Sequence, residues 1–284
     1  LIRLSVRCRP ELAERVLAEL LELAPGGVEE DEGDGWHEYA IYGPPGEVPE
    51  LPELRAAAGD GLVEITSTEI PDDWADRWRD FHRPVTVGGG RIVVAPSWES
   101  DAAASAEVAV VIDPGQAFGT GAHATTHLCL EALLELADAG EAEGALVDLG
   151  TGSGVLAIAA AKLGFEPVTG VDSEPAALEA AAANAAANRV ELALERRNLR
   201  EAEPPRAPAI VANLTAPLLE SVAARLGPAR ELPQVLVCSG LLASEVERVE
   251  AAFDVAGMTA ADPRVSGDWA ALLLRPGNSG EAAK

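Results

Sequence analysis

The segment ALVDLGTGSGVLAIAAAKLG, residues 145–164, constrains the chain more than any other. An apolar run leads into Asp148, glycines follow at positions 150, 152 and 154, and an Ala-rich helical stretch begins at Val155. Glycine lets a backbone turn sharply and approach a ligand with no Cβ in the way. The first N–H groups of the helix that follows lack intrahelical partners. Strand, turn and helix in this order form the unit from which nucleoside-binding α/β sheets are built. A dinucleotide fingerprint would read G-x-G-x-x-G/A. Here Val155 stands where the third glycine belongs, which points away from a pyrophosphate.

The rest of the chain supports such a sheet. From about Arg91, RIVVAPSW and AEVAVVID read as strands, and TTHLCLEALLELADAG reads as a helix with a leucine face. ALVDLG, PVTGVD, APAIVANL, QVLVCSG and AALLLRP then alternate with helices starting near Val155, Pro175, Pro217 and Ala243. Apolar strands separated by helices predict a mostly parallel sheet covered on both faces, spanning residues 85–276. Residues 1–71 read differently, as β-α-β-β-α-β, the ferredoxin-like order. Their first helix, ELAERVLAELLEL, carries Leu12, Val16, Leu20 and Leu23 on one stripe, and a weaker helix is expected at ELPELRAAAG. Between the two parts, Trp74, Trp78 and Phe81 give residues 72–84 one aromatic face, as expected of a docked linker helix. The tail, 277–284, is expected to be disordered.

Charge and cysteines narrow the function classes. A formal net charge of −26 argues against binding nucleic-acid phosphates and suits a basic partner. No apolar run reaches the ~18–20 residues of a membrane span, and LIRLSVRCRP lacks a signal-peptide pattern. Cys8, Cys129 and Cys238 are far apart and odd in number, so no disulfide framework is expected. Each is read as a small buried hydrophobe. A soluble cytoplasmic monomer is expected. His123 and His127 have helical zinc-ligand spacing, but no Glu stands between them and no third ligand is evident, so no metal is expected. His37 and His82 are isolated.

Three polar residues fall where a nucleoside would be held. Asp172 closes the strand VTGVD and can accept both ribose hydroxyls. It could instead cap the next helix, although Ser173 beside it offers that cap. Asn213 follows IVA at the carboxyl edge of the sheet, where α/β ligands bind; it too could be a helix cap. Asn198, in RRNLRE, is a weaker candidate near an adenine ring.

The spacing G-x-G-x-G, with an acid two residues ahead, resembles motif I of the class I S-adenosylmethionine-dependent methyltransferases. Together, DPGQAFGTGAHATTHLCLEALL, VDLGTGSGVLAIAAAKLG, GVDSEPAAL, VANLTAPLL and SGLL resemble one family, the ribosomal protein L11 methyltransferases (PrmA-like). The resemblance implies a Rossmann-like methyltransferase domain behind a small L11-binding domain. It implies cofactor contacts at Thr126, Gly150, Gly152, Asp172 and Asn213, with Asn213 able to orient the incoming amine. It implies S-adenosyl-L-methionine as cofactor, and lysine side chains and the α-amine of L11 as targets. Thr126 is also expected to cap its helix. Three alternatives remain: methylation of another protein or a small amine, a NAD-dependent oxidoreductase, and a non-catalytic cofactor-binding module.

Overall fold

The computed structural model describes residues 2–23, 28–33, 35–43, 62–69, 83–113, 121–226, 232–261 and 263–277. The expected linker helix, the second N-terminal helix and all of the tail beyond Gly277 lie outside them. The chain divides into two units, the first made chiefly of residues 1–83 and the second chiefly of residues from Pro84 onward.

In the first unit, β1 (Ile2–Cys8) is followed by helix α1 (Ala13–Leu23) and then by β2 (Glu29–Gly33), β3 (Trp36–Gly43) and β4 (Leu62–Glu69). The four strands form an antiparallel sheet in the order β2-β3-β1-β4. Period-two alternation buries Leu4, Val6 and Cys8 on one face, and the helical stripe Ala13, Val16, Leu17 and Leu20 is buried as well. On the other face Glu38, only 6% exposed, is clasped by two arginines: Arg3 Nη2 donates to Oε1 at 2.7 Å and Arg7 Nε to Oε2 at 2.5 Å. Burial opposes the charge on Glu38, but the two guanidiniums outweigh it and hold the carboxyl below its ordinary range. The Arg7 guanidinium also lies 4.4 Å from the centre of the Trp36 ring.

The second unit opens with a small sheet that sequence alone merged into the large one. It comprises β5 (Val85–Val87), β6 (Ile92–Ala95) and β7 (Val108–Val111). Strand β6 stops before Pro96, where a 3₁₀ turn begins at Ser97, because proline has no N–H for the ladder. The chain continues with α2 (Ala124–Asp138), β8 (Leu146–Leu149), α3 (Val155–Leu163), β9 (Val168–Asp172), α4 (Pro175–Asn188), β10 (Ala193–Arg196), β11 (Ala209–Asn213), α5 (Ala216–Leu226), β12 (Val235–Leu242) and α6 (Val246–Ala256). Three further strands end it: β13 (Met258–Ala260), β14 (Arg264–Ser266) and β15 (Trp269–Pro276). The large sheet runs β10-β9-β8-β11-β12-β15-β13, with β14 paired to β15. Its first five strands are mutually parallel, while β15 lies antiparallel to β12, β13 and β14.

Both faces of this sheet are apolar, as parallel strands require. One core holds side chains of α2, α3 and the small sheet, including Leu130, Leu133, Ile158, Val94 and Val110. The other holds α5 and α6, including Leu219, Val222, Val249 and Phe253. The order reverses between β8 and β11, so the carboxyl ends of these two neighbours open a crevice at the switch point. No helix among the described residues is long and apolar enough to cross a membrane.

Candidate active site

The glycine turn leaves β8 at the switch point. Gly150 sits at φ 75°, a left-handed angle that disfavours other residues, and a Cβ there would meet Leu214 Cδ2 at 2.4 Å. The turn is pinned to the next strand, since Gly150 N and Thr151 N both donate to Val171 O, at 2.8 and 2.9 Å. Gly152 N donates to Asp172 Oδ2 at 3.0 Å. This bond joins the two features that the sequence offered separately.

The other oxygen of Asp172, Oδ1, accepts from Glu174 N at 3.0 Å. Asp172 itself therefore serves the start of α4, and the expected cap from Ser173 is not seen: the capping position is Glu174, with no side-chain cap bond. The local role does not exhaust the carboxylate, because two oxygens offer about four acceptor positions. Asn198 likewise has a local role, its Oδ1 accepting from Arg200 N at 3.0 Å. It also lines a cavity of about 530 Å³ beside Ser173, Glu174, Arg196, Arg197 and Arg200.

Across the switch point, Asn213 ends β11. Its Nδ2 donates to Thr126 Oγ1 over 3.4 Å, a long contact that pairs two of the sequence candidates. Thr126 is fully buried and does not cap α2. That role belongs to His123, whose Nδ1 accepts from Thr125 N at 3.3 Å and lies 2.7 Å from Thr125 Oγ1. The Thr126 hydroxyl is thus directed at Asn213 rather than at its own helix end. The structure brings Gly150, Gly152 and Asp172 together on one side of the switch point, and Thr126 and Asn213 together on the other.

Several contacts here were not legible in sequence. The His123 ring stands edge-on to Trp269, with ring centres 4.7 Å apart. Burial, then the charge of nearby His127, pushes the His123 pKa down to about 4, so the ring is neutral at pH 7. Asp148 is wholly buried beneath the turn, where Oδ2 accepts from the Thr151 hydroxyl at 2.7 Å. Burial foremost pushes its pKa up to about 7; Thr151 and the Ala157 amide oppose the shift and Asp172 adds to it. The segment SGLL also acquires a reason: a Cβ on Gly240 would come within 2.5 Å of Leu214 O, next to Asn213.

No cluster of three His, Cys, Asp or Glu among the described residues could hold a metal. All three cysteines are free and buried, and burial raises each thiol pKa, to about 11 for Cys8 and about 12 for Cys238. They are poor nucleophiles.

The chain is similar to known proteins. A family model described as ribosomal protein L11 methyltransferase (PrmA) matches residues 50–276. The ribosomal protein L11 methyltransferase of Symbiobacterium thermophilum is 35% identical over 271 residues, 90% of this chain and 84% of that protein. Its counterpart from Pelotomaculum thermopropionicum is 38% identical over 223 residues, 78% of this chain and 71% of that protein. The crystal structure of the ribosomal protein L11 methylase from Lactobacillus delbrueckii subsp. bulgaricus superposes with a TM-score of 0.61 and 26% identity, over 69% of this chain and 100% of that one.

Proposed function

Because this chain belongs to the ribosomal protein L11 methyltransferase (PrmA) family, we propose that it methylates amino groups of ribosomal protein L11, using S-adenosylmethionine, as a cytoplasmic monomer. The observation that carries this reading is the bond from Gly152 N to Asp172 Oδ2, facing the Thr126–Asn213 pair across one switch point.

The residues present fit such a cofactor. Asp172 retains acceptor positions for two ribose hydroxyls, Gly150 and Gly152 let the backbone lie close to the methionine part, and Asn213 borders the crevice from the far side, with Thr126 buried behind it. When bound, S-adenosylmethionine supplies a methyl group on a positively charged sulfur, an already activated leaving group. The protein's task is then orientation rather than covalent catalysis. Asn213 holds Thr126 through its Nδ2, so its Oδ1 is left to accept an N–H from the incoming amine. That amine must be neutral to attack in line. A lysine has an ordinary pKa of about 10.4, and desolvation in the crevice lowers it. Bound there, the cofactor would supply its methyl group to this nitrogen, which would give up its proton to solvent. Lysine side chains and the α-amine of L11 are the proposed acceptors, and residues 1–71 the proposed docking domain for that basic protein.

The decisive test is transfer of a labelled methyl group to free L11 and to ribosomes, followed by mass mapping. Labelled lysine or α-amine in L11 is expected, and label found only in another protein would overturn the substrate. Asp172→Ala is expected to weaken S-adenosylhomocysteine binding more than about tenfold, since hydrogen bonds to a charged acceptor contribute ~1.5–3 kcal/mol each. Unchanged affinity in calorimetry would remove the ribose assignment, and tighter binding of NAD would remove the choice of cofactor.

A further inference from the structure

Helix α4 reads PAALEAAAANAAAN, a run of alanines broken by two asparagines one turn apart. Both are buried, Asn184 at 6% exposure and Asn188 at 9%. A buried amide is costly unless its groups are bonded, and here every one is. Asn188 accepts from Val111 N at 2.8 Å and donates to Val111 O at 2.6 Å and to Asn184 O at 2.8 Å, clamping the helix to the end of β7. Asn184 reaches two different segments: its Nδ2 donates to Ser153 O at 2.8 Å, and its Oδ1 accepts from Asp113 N at 3.3 Å. The partners fix which way the amide points, because a carbonyl can only accept and a backbone N–H can only donate.

Ser153 lies inside the glycine turn, between Gly152 and Gly154. The three glycines take φ values of 75°, 52° and 84°, so the turn has little stiffness of its own. Its front is held by Asp172 through Gly152 N, and at its back, beside local bonds such as Val155 N to Ser153 Oγ at 3.3 Å, Ser153 O is tied to Asn184 on a different helix. Asp113, the other partner of Asn184, is anchored in turn, its Oδ1 accepting from Ser97 N at 2.7 Å. We propose that Asn184 is a positioning residue: its amide fixes the glycine turn against the end of β7 and so sets the fit of the turn to the cofactor. The inference rests on the reading that this turn holds S-adenosylmethionine.

Asn184→Asp tests it, because the new carboxylate still accepts from Asp113 N but has no donor for Ser153 O. Asn188→Asp is the control: same helix, same kind of buried clamp, no contact with the turn. Melting temperature, S-adenosylhomocysteine affinity by calorimetry, and the separate KM and kcat for methyl transfer are measured on the full chain. Both variants are expected to melt lower than the parent. Only Asn184→Asp should bind S-adenosylhomocysteine about tenfold more weakly, as expected for one lost buried hydrogen bond. Its KM for S-adenosylmethionine should rise in proportion, with kcat little changed. If Asn184→Asp does not fold, Asn184→Ser replaces it, with the same split expected at smaller size. Equal affinities in the Asn184 and Asn188 variants would overturn the positioning role. A parent protein that binds no S-adenosylhomocysteine would overturn the cofactor reading as well, so the two failures are told apart.

Discussion

The two sheets of this protein handle their second faces in opposite ways. In β2-β3-β1-β4 one face is apolar and the other carries Arg3, Arg7 and Glu38 in a charged clasp. In the large sheet both faces are covered by apolar cores. A sheet buried on both sides has only its strand ends left for chemistry, so topology alone dictates where its ligand goes. A sheet with one polar face keeps a broad surface whose partner is set by charge and shape, which topology does not specify. On the proposed reading, small-molecule chemistry falls to the second unit and partner choice to the first.

Deleting residues 1–71 should break the comparison most severely. Labelled methyl transfer to L11 is expected to vanish while calorimetry finds S-adenosylhomocysteine affinity unchanged; persistent L11 methylation would return partner choice to the second unit. The next largest effect concerns pH and stability. Asp148 holds its proton up to about pH 7 in the folded protein, whereas an unfolded chain releases it near about 3.9. Between these values folding retains a proton that the unfolded chain gives up, so stability falls as pH rises through the window and levels off above it. Asp148→Asn should therefore be more stable than the parent at pH 8, on the order of 2–4 kcal/mol in urea unfolding, with the difference closing toward pH 4. His123 slopes the other way. It is neutral when folded down to about pH 4, so its contribution is present above about pH 6.5 and is lost as pH falls through that interval. The smallest effect sharpens the contrast: Glu38→Gln should loosen only the first unit, by about 2 kcal/mol. Faster hydrogen exchange in β1 and β3 with unaltered cofactor affinity would show it.

The parts of this architecture that were legible in sequence share a physical cause. The glycine turn, Asp172 and Asn213 stand at strand ends, where a departure from apolar composition is conspicuous. Strand β10 was not legible, because ALER at the sheet edge is half-exposed and carries no apolar alternation. Strands β13 and β14, three residues each, are too short for periodicity to register. The cap from His123 escaped notice because histidine is not among the favoured capping residues. Asn184 and Asn188 were hidden by their setting, since polar residues in an alanine run read as solvent-facing until their partners are known. Contacts between distant segments, such as His123 with Trp269 or Asn184 with Asp113, leave no local trace in either segment.

Gly240 has a longer reach than its contact with Leu214 suggests. The pairing of β12 with β15 steps by one residue between Ser239 and Leu241, so that Ser239 faces Ala271 while Leu241 faces Ala270 and Leu242 faces Trp269. Side chains along a strand alternate sides, so one surplus residue decides which side everything beyond it presents. Shortening β12 by that residue would put the far end of the strand pair out of phase. The tryptophan and the histidine edge it meets would then part company, although neither had been touched.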